Sequence, residues 1–174
     1  MIGISQPSAF LLSKARFQRD YLWDVLLPDI GISAGGLIGF GIGQLAQSVS
    51  FGDYNISTAN VMKIGPYEHN FAGLLTVPTV KMKFLKTIPD VVATYFNAWK
   101  NKIVGVHGTY YPKNNYQRTI YIRFNDSTGL AIGQYKLIGA FPITFPQYNL
   151  DYAADKVTEI EIEFKIDQIE YSIF

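Results

Sequence analysis

Apolar and polar residues alternate along several short stretches of this chain, most regularly close to its C-terminal end. Within residues 157–167 the apolar parity holds Ile160, Ile162, Phe164 and Ile166, and the charged parity holds Glu159, Glu161, Glu163, Lys165 and Asp167. Because successive side chains of a strand point to opposite faces, this alternation predicts a β-strand with one buried face and one wet face. Such strands are typical of antiparallel sheets covered on one side.

Similar alternation predicts further strands over residues 16–27, 45–57, 79–86, 118–125 and 132–141. Pro28 ends the first strand, because proline cannot donate the N–H that a ladder requires. The pair Gly52-Asp53 predicts a bend in the second strand. We expect a turn at residues 58–60 and a hairpin connection at residues 126–129. After Ile166 the apolar parity slips, which predicts a bulge or the end of pairing.

Residues 89–103 have helical periodicity instead. Apolar residues spaced four, three and four apart form a stripe that a helix would bury: Val92, Phe96, Trp99 and Ile103. Pro89 and Asp90 suit the first turn of this helix. The pattern as a whole predicts a mainly β protein, an antiparallel β-sandwich or barrel with one flanking α-helix. We assign residues 1–15 to an N-terminal arm and residues 16–174 to a single domain.

Composition narrows the class of protein. The 174 residues contain no cysteine, which excludes a disulfide scaffold and any thiol-based metal or redox site. Aromatic residues make up 15% of the chain, an excess that suits a β-rich core or large subunit interfaces. No apolar stretch reaches the length of a membrane-spanning helix, so we expect no membrane insertion.

Charge is distributed unevenly, although the net charge is only +1. Residues 81–123 carry a net charge of +7, and residues 150–174 carry −5. One interpretation is that these segments are neighbouring strands whose charges pair across a sheet. The other is that they form two oppositely charged surfaces that meet between subunits. Lys81 and Lys83 are the basic candidates for such a contact.

No pattern in the sequence indicates catalysis or cofactor binding. His69 and His107 lack metal-ligand spacing to each other or to an acid pair. The glycines within residues 39–43 lack the spacing of a phosphate-binding loop, and no Gly-Lys-Ser/Thr follows. Three glutamates on one strand, Glu159, Glu161 and Glu163, are more typical of a wet face than of a glycosidase site. We therefore expect no enzyme activity, no cofactor and no metal, and a function that lies in surfaces.

Several short stretches occur in a particular order. They are Ala15-Arg16-Phe17 with Trp23-Asp24-Val25, an extended hairpin region at 45–77, the strand at 80–85, a helix carrying Phe96-Asn-Ala-Trp99, the strand ending at 122–126, the passage at 135–142, and the closing strand at 159–164. This order resembles the tail tube proteins of contractile-tailed bacteriophages, a fold shared with the type VI secretion tube protein. The resemblance spans about residues 15–171.

The resemblance implies a structural protein of the virion. Hexameric rings would stack into the tail tube, the conduit for DNA ejection, and DNA would pass through it transiently and without sequence specificity. The implied partners are other copies of the chain, the tail sheath protein, the baseplate and the tape measure protein, with assembly in the host cytoplasm. We expect ring contacts at Phe51, Tyr54, Ile56 and Tyr67, and stacking or lumen charges at Glu159, Glu161, Glu163, Lys81 and Lys83.

Other functions remain open at this point. A baseplate tube-initiator and the type VI secretion tube protein share the same domain and differ in their partners. A monomeric small-ligand-binding β-barrel, such as a lipocalin-like protein, is the alternative from a different class. A hydrolase on a β-sandwich is a more distant alternative.

Overall fold

The computed structural model describes residues 22–31, 41–64, 67–105, 107–145 and 158–174, without the side chains of 59–64 and 67–70. The strands there are β1 (Trp23–Leu26), β2 (Ala46–Phe51), β3 (Asn55–Ile64), β4 (Tyr67–Thr76), β5 (Val80–Leu85), β6 (Arg118–Asn125), β7 (Ala131–Pro142), β8 (Glu159–Lys165) and β9 (Gln168–Ile173). The helices are α1 (Val91–Ile103) and α2 (Lys113–Tyr116). The predicted arm at residues 1–15 lies outside the described residues.

All strand pairs in this part of the chain are antiparallel, and β7 joins two sheets. One sheet consists of β1, β6, β7 and β9, and the other consists of β2, β5, β8 and the end of β7. The passage between them falls at Gly139, whose φ of +69° is the left-handed conformation that glycine adopts without strain. The prediction of a mainly antiparallel β fold with a flanking helix is confirmed.

The core lies between the two sheets and α1. Val80, Met82 and Phe84 alternate with the lysines of β5, as their parity predicts, and β8 repeats the pattern. Asp90 caps α1 by accepting a hydrogen bond from the Ala93 N–H at 2.9 Å. The largest buried side chains are Trp99, Tyr95, Phe84, Phe96 and Phe164, whose rings contact one another.

Tyr95 belongs to the buried face of α1, although the sequence pattern placed only apolar residues there. Its hydroxyl donates to the carbonyl oxygen of Pro28 at 2.6 Å, which satisfies the polar tip and ties α1 to the end of β1. Burial raises the pKa of the Tyr95 hydroxyl well above its ordinary value, and the nearby Asp29 acts in the same direction.

One local prediction is wrong. Residues 58–60 are not a turn, because β3 continues through them and absorbs their irregularity in shifts of register. The loop after α1 contains a second, short helix, α2. The carbonyl oxygen of its last residue, Tyr116, accepts a hydrogen bond from Trp99 Nε1 at 2.8 Å. The slip after Ile166 is a bend, beyond which the chain continues as β9 along β7.

Candidate assembly surfaces

The hairpin formed by β3 and β4 stands apart from the rest of the fold. Its strands pair with each other and make no more than marginal contact with any other described element. Apolar side chains on it are exposed, with exposed fractions of 58% at Ile56, 56% at Phe71, 83% at Leu74 and 55% at Leu75. A two-stranded hairpin is marginally stable in water on its own, so this one lacks the cover that its composition requires.

A bulge shapes the hairpin near its base. Ile56 pairs with Leu75 and Thr58 pairs with Ala72, so β4 carries an extra residue between these pairs. The Ser57 hydroxyl holds the bulge, because it accepts a hydrogen bond from the Leu74 N–H at 2.9 Å and donates to the Leu74 carbonyl at 3.3 Å. The Ser57 side chain therefore holds the Leu74 backbone within the bulge.

Apolar side chains lie on both faces of this ribbon. Ile56 and Leu75 are cross-strand partners and share one face, whereas Phe71 pairs with residue 59 and lies on the opposite face. Strands with apolar residues on both faces are typical of sheets that are covered on both sides. The described apolar side chains on both of these faces are exposed in the single chain.

The ring contacts expected from the sequence are spread over two surfaces: Ile56 and Tyr67 belong to opposite ends of this hairpin, Tyr54 precedes it, and Phe51 belongs to β2. Phe51 ends β2, Tyr54 precedes β3 and Ile56 lies within it, and all three side chains are exposed. Tyr67 begins β4 opposite Ile64, and its side chain is not described. Sequence reasoning missed Phe71, Leu74 and Leu75, although apolar residues at both parities were a readable signal.

A second apolar surface lies where β2 crosses the ends of β1 and β6. A groove of about 260 Å³ opens there, and its lining residues are Trp23, Gln47, Ser48, Val49, Phe51, Ile122 and Phe124. Beside it Tyr135 contacts three other rings at centroid distances of 4.9–5.4 Å: Phe51, Phe124 and Tyr171. We call the groove and these rings the apolar mouth.

The charged residues expected to serve in stacking or in the lumen form a ladder on the wet face of β5 and β8. Lys81 Nζ lies 3.8 Å from Glu161, and Lys83 Nζ lies 3.9 Å from Glu159 and 4.0 Å from Glu161. The basic and acidic segments are therefore neighbouring strands here, as the first interpretation expected. Their side chains are about half exposed, so each pair stabilises the sheet only slightly.

A polar cleft of about 480 Å³ lies between the end of α1 and α2. Its lining residues are Asn101, Lys102, Tyr111, Asn114, Asn115 and Arg118. It offers hydrogen-bond donors but no acid–base pair or nucleophile with an activating partner. In the part of the chain that the structure describes, no group of three or more His, Cys, Asp or Glu side chains could hold a metal ion.

The interior between the sheets is filled by large side chains, with Trp99, Phe96 and Phe164 fully buried and in ring contact. A lipocalin-like barrel keeps an apolar cavity at this place for its ligand. The packing of this core therefore counts against the ligand-binding alternative. Among the described residues, no helix is long and apolar enough to cross a membrane.

Comparison with solved structures gives the class of fold. A chain of the anti-feeding prophage cap, which terminates that tube, has a TM-score of 0.66 at 16% identity, with 92% of this chain and 93% of that chain covered. A chain of the PVC sheath–tube complex in its extended state has a TM-score of 0.66 at 16% identity, with 96% and 99% covered. A chain of the anti-feeding prophage baseplate has a TM-score of 0.62 at 10% identity, with 91% and 97% covered.

These similarities extend over nearly the whole chain on both sides. The protein therefore has the tail-tube fold found in contractile injection systems, and the resemblance read from its sequence is confirmed at the level of fold. No family profile matches the sequence, and no curated protein matches it significantly.

Proposed function

We propose that this protein is a structural, non-enzymatic component of the tube of a contractile tail. Copies of the chain assemble into hexameric rings, and the rings stack into a channel. The observation that carries the proposal is the uncovered hairpin, with exposed apolar residues on both of its faces, on a tail-tube fold. A surface of this kind is stable when other copies cover it.

A contact between two different surfaces of the chain is compatible with a ring. The hairpin and the apolar mouth are different surfaces of one chain, so a contact between them is heterologous. A heterologous contact that closes gives a ring, and one that does not close gives a filament. Ring contacts through Phe51, Tyr54, Ile56 and Tyr67 form part of this proposal.

The cargo and partners follow from the tube role. In a phage tail the channel carries DNA to the host, the sheath surrounds the tube, and the baseplate and tape measure protein set its start and length. A sheath–tube complex and a baseplate both contain chains of this fold, which supports contact with such components. The virion is the proposed location.

A tube-terminating or tube-initiating ring is the second candidate. The similarity to the anti-feeding prophage cap equals the similarity to the sheath–tube complex, since both TM-scores are 0.66. A cap or initiator ring forms the same lateral contacts but does not extend into long tubes alone. The length of the assemblies therefore separates the two candidates.

Electron microscopy of the purified chain tests the proposal. We expect rings or tubes with a central channel, and we expect the Phe71→Asp/Leu75→Asp variant to remain a folded monomer. Ile88 is 98% exposed and lies near the start of α1, so Ile88→Asp is the matched control and should assemble normally. Unchanged assembly of the hairpin variant contradicts the proposed role of the hairpin. Persistent monomers of the wild-type chain at all protein and salt concentrations contradict self-assembly.

A further inference from the structure

The groove in the apolar mouth is a shaped receptor that no described residue of its own chain fills. Trp23 and Phe124 supply one side of the groove and Val49 and Phe51 supply the other, so two separate sheets form its walls. The volume of about 260 Å³ is sufficient for one large apolar side chain, since a cavity of about 150 Å³ in a protein core accepts benzene.

Gly133 extends this apolar surface toward β9. Phe124, Gly133 and Ile173 are cross-strand neighbours and therefore share one face of the sheet. Because Gly133 has no side chain, the surface is depressed at this position, and the Tyr171 ring lies next to the depression. Ile173 is exposed beyond it, so the mouth continues onto a sheet edge that no described strand covers.

Leu74 has the properties of a matching anchor. It is 83% exposed, the highest fraction among the apolar side chains of the hairpin that the structure describes. The two hydrogen bonds with Ser57 fix its backbone in the bulge, so docking of the side chain adds little backbone ordering. Bulges commonly direct a side chain out of the regular ribbon.

From these features we infer that Leu74 of one copy inserts into the apolar mouth of an adjacent copy. The inference rests on the self-assembly proposed above and names the receptor for the hairpin. A second copy is the occupant because both partners are exposed on the same chain and are complementary in chemistry. The hairpin of the same chain does not fill the groove, since β4 makes no more than marginal contact with β1, β2 or β6.

Cysteine cross-linking tests this pairing directly, and the chain offers a clean background because it contains no cysteine. One variant carries Leu74→Cys and a second carries Gln47→Cys, at the exposed rim of the groove. The two variants are mixed, assembled and oxidised, and cross-linked dimers are measured by gel electrophoresis. Ile88→Cys replaces Gln47→Cys in the control mixture, because Ile88 is more exposed but lies at the opposite end of β5 from Phe51.

We expect the mixture of Leu74→Cys with Gln47→Cys to give at least tenfold more dimer than the control mixture. Rings or tubes in which the two yields are equal overturn the inference but leave self-assembly intact. Absence of any assembly overturns both the inference and the proposed function. The outcomes of the two proposals are therefore distinguishable in one experiment.

Substitutions at the anchor give a second readout. Leu74→Asp should weaken association at least tenfold, measured by sedimentation, whereas Leu74→Met should retain it, because methionine fills apolar grooves of irregular shape. Both variants should unfold at the same temperature as the wild-type monomer, since the side chain is exposed there. Equal association of Leu74→Asp and wild type overturns the inference.

Discussion

The carboxylate of Asp167 lies directly over Gly139, at the point where β7 passes from one sheet to the other. Lys113 Nζ, on α2, donates to Asp167 Oδ1 at 2.6 Å and to Oδ2 at 2.5 Å, so the helix, the bend after β8 and the corner of β7 meet at one place. The Asp167 N–H also donates to the Ile138 carbonyl at 2.9 Å. A side chain at residue 139 has no room in this arrangement.

Gly139→Ala should therefore destabilise the fold in two separable ways. A left-handed backbone costs a non-glycine residue about 1–3 kcal/mol, and the new Cβ overlaps the Asp167 carboxylate. In an Asp167→Ala background the overlap with the carboxylate is removed, whereas the close contact with the residue 167 Cβ at 3.0 Å and the backbone cost remain. Denaturant unfolding of the two single variants and the double variant measures this difference. Equal costs of Gly139→Ala in both backgrounds would show that the carboxylate does not restrict residue 139.

Trp99 should prove the most costly core residue of α1 to replace. Trp99→Ala removes a fully buried ring and should lower the free energy of unfolding by about 3–5 kcal/mol. Trp99→Phe should cost less, but it removes the hydrogen bond to the Tyr116 carbonyl. We expect faster amide hydrogen exchange in residues 113–117 of that variant. Unchanged exchange there would show that the indole does not hold α2 in place.

Tyr95 predicts a pH dependence of stability at alkaline pH. Its raised pKa means that the folded protein keeps the proton above pH 10, the ordinary tyrosine value, while the unfolded chain loses it. Stability contributed by this group is complete below pH 10 and falls as the pH rises further, by up to about 1.4 kcal/mol per pH unit. Tyr95→Phe should have a shallower decline above pH 10, measured by urea unfolding at several pH values. Parallel curves would exclude this role.

Tyr95→Phe should also lose stability at neutral pH, because the Pro28 carbonyl loses its donor. The expected cost is about 0.5–1.5 kcal/mol. The variant is thus less stable than the wild type at pH 7, and the gap should narrow at high pH. Tyr110→Phe is the matched control, since the Tyr110 side chain is exposed and its loss should leave both values unchanged.

The charge ladder on β5 and β8 separates a role in the monomer from a role in assembly. Glu161→Lys should cost only a few tenths of a kcal/mol in the monomer, because exposed pairs contribute little. The Glu161→Lys/Glu163→Lys variant should nevertheless stop tube growth and leave rings or monomers folded, if these carboxylates set the polarity of stacking. Electron microscopy measures tube length. Tubes of normal length would exclude the stacking role.

Exchanging the partners is the control for this prediction. The variant Lys81→Glu/Lys83→Glu/Glu161→Lys/Glu163→Lys keeps opposite charges at the paired positions of the two strands but inverts their positions on the surface. Recovery of tube growth in the exchanged variant indicates that only pairing within the sheet matters. Continued failure of tube growth indicates that a neighbouring copy contacts these positions and that the contact depends on the sign of the charge at each of them.

The strands of the core could be predicted from the sequence because each has one buried, apolar face and one solvent-exposed, charged face. Residues 159–165 alternate without exception and residues 80–84 do the same up to Leu85, and the structure places the two strands side by side. Their charges could be assigned to a wet face for the same reason. Alternation is a property of one strand alone, so it did not predict the register, and only the opposite charges of the two segments indicated that they are neighbours.

The failures have a different physical origin. Residues 58–60 combine turn-forming residues within a strand, and pairing with β4 overrides that local preference. The helix α2 is too short for periodicity to reveal it, and part of its support comes from Trp99 at a distance in sequence. The apolar mouth arises where two sheets cross, so no segment of the sequence contains its pattern.

The strand β7 has one further consequence for the way this molecule comes apart. Its first residues pair with β6 and β9, and Phe141 and Pro142 pair with β8. Neither sheet can detach without breaking a strand that the other also uses. Heating should therefore melt both sheets in one cooperative transition, while the hairpin, which shares no strand with them, can loosen at a lower temperature.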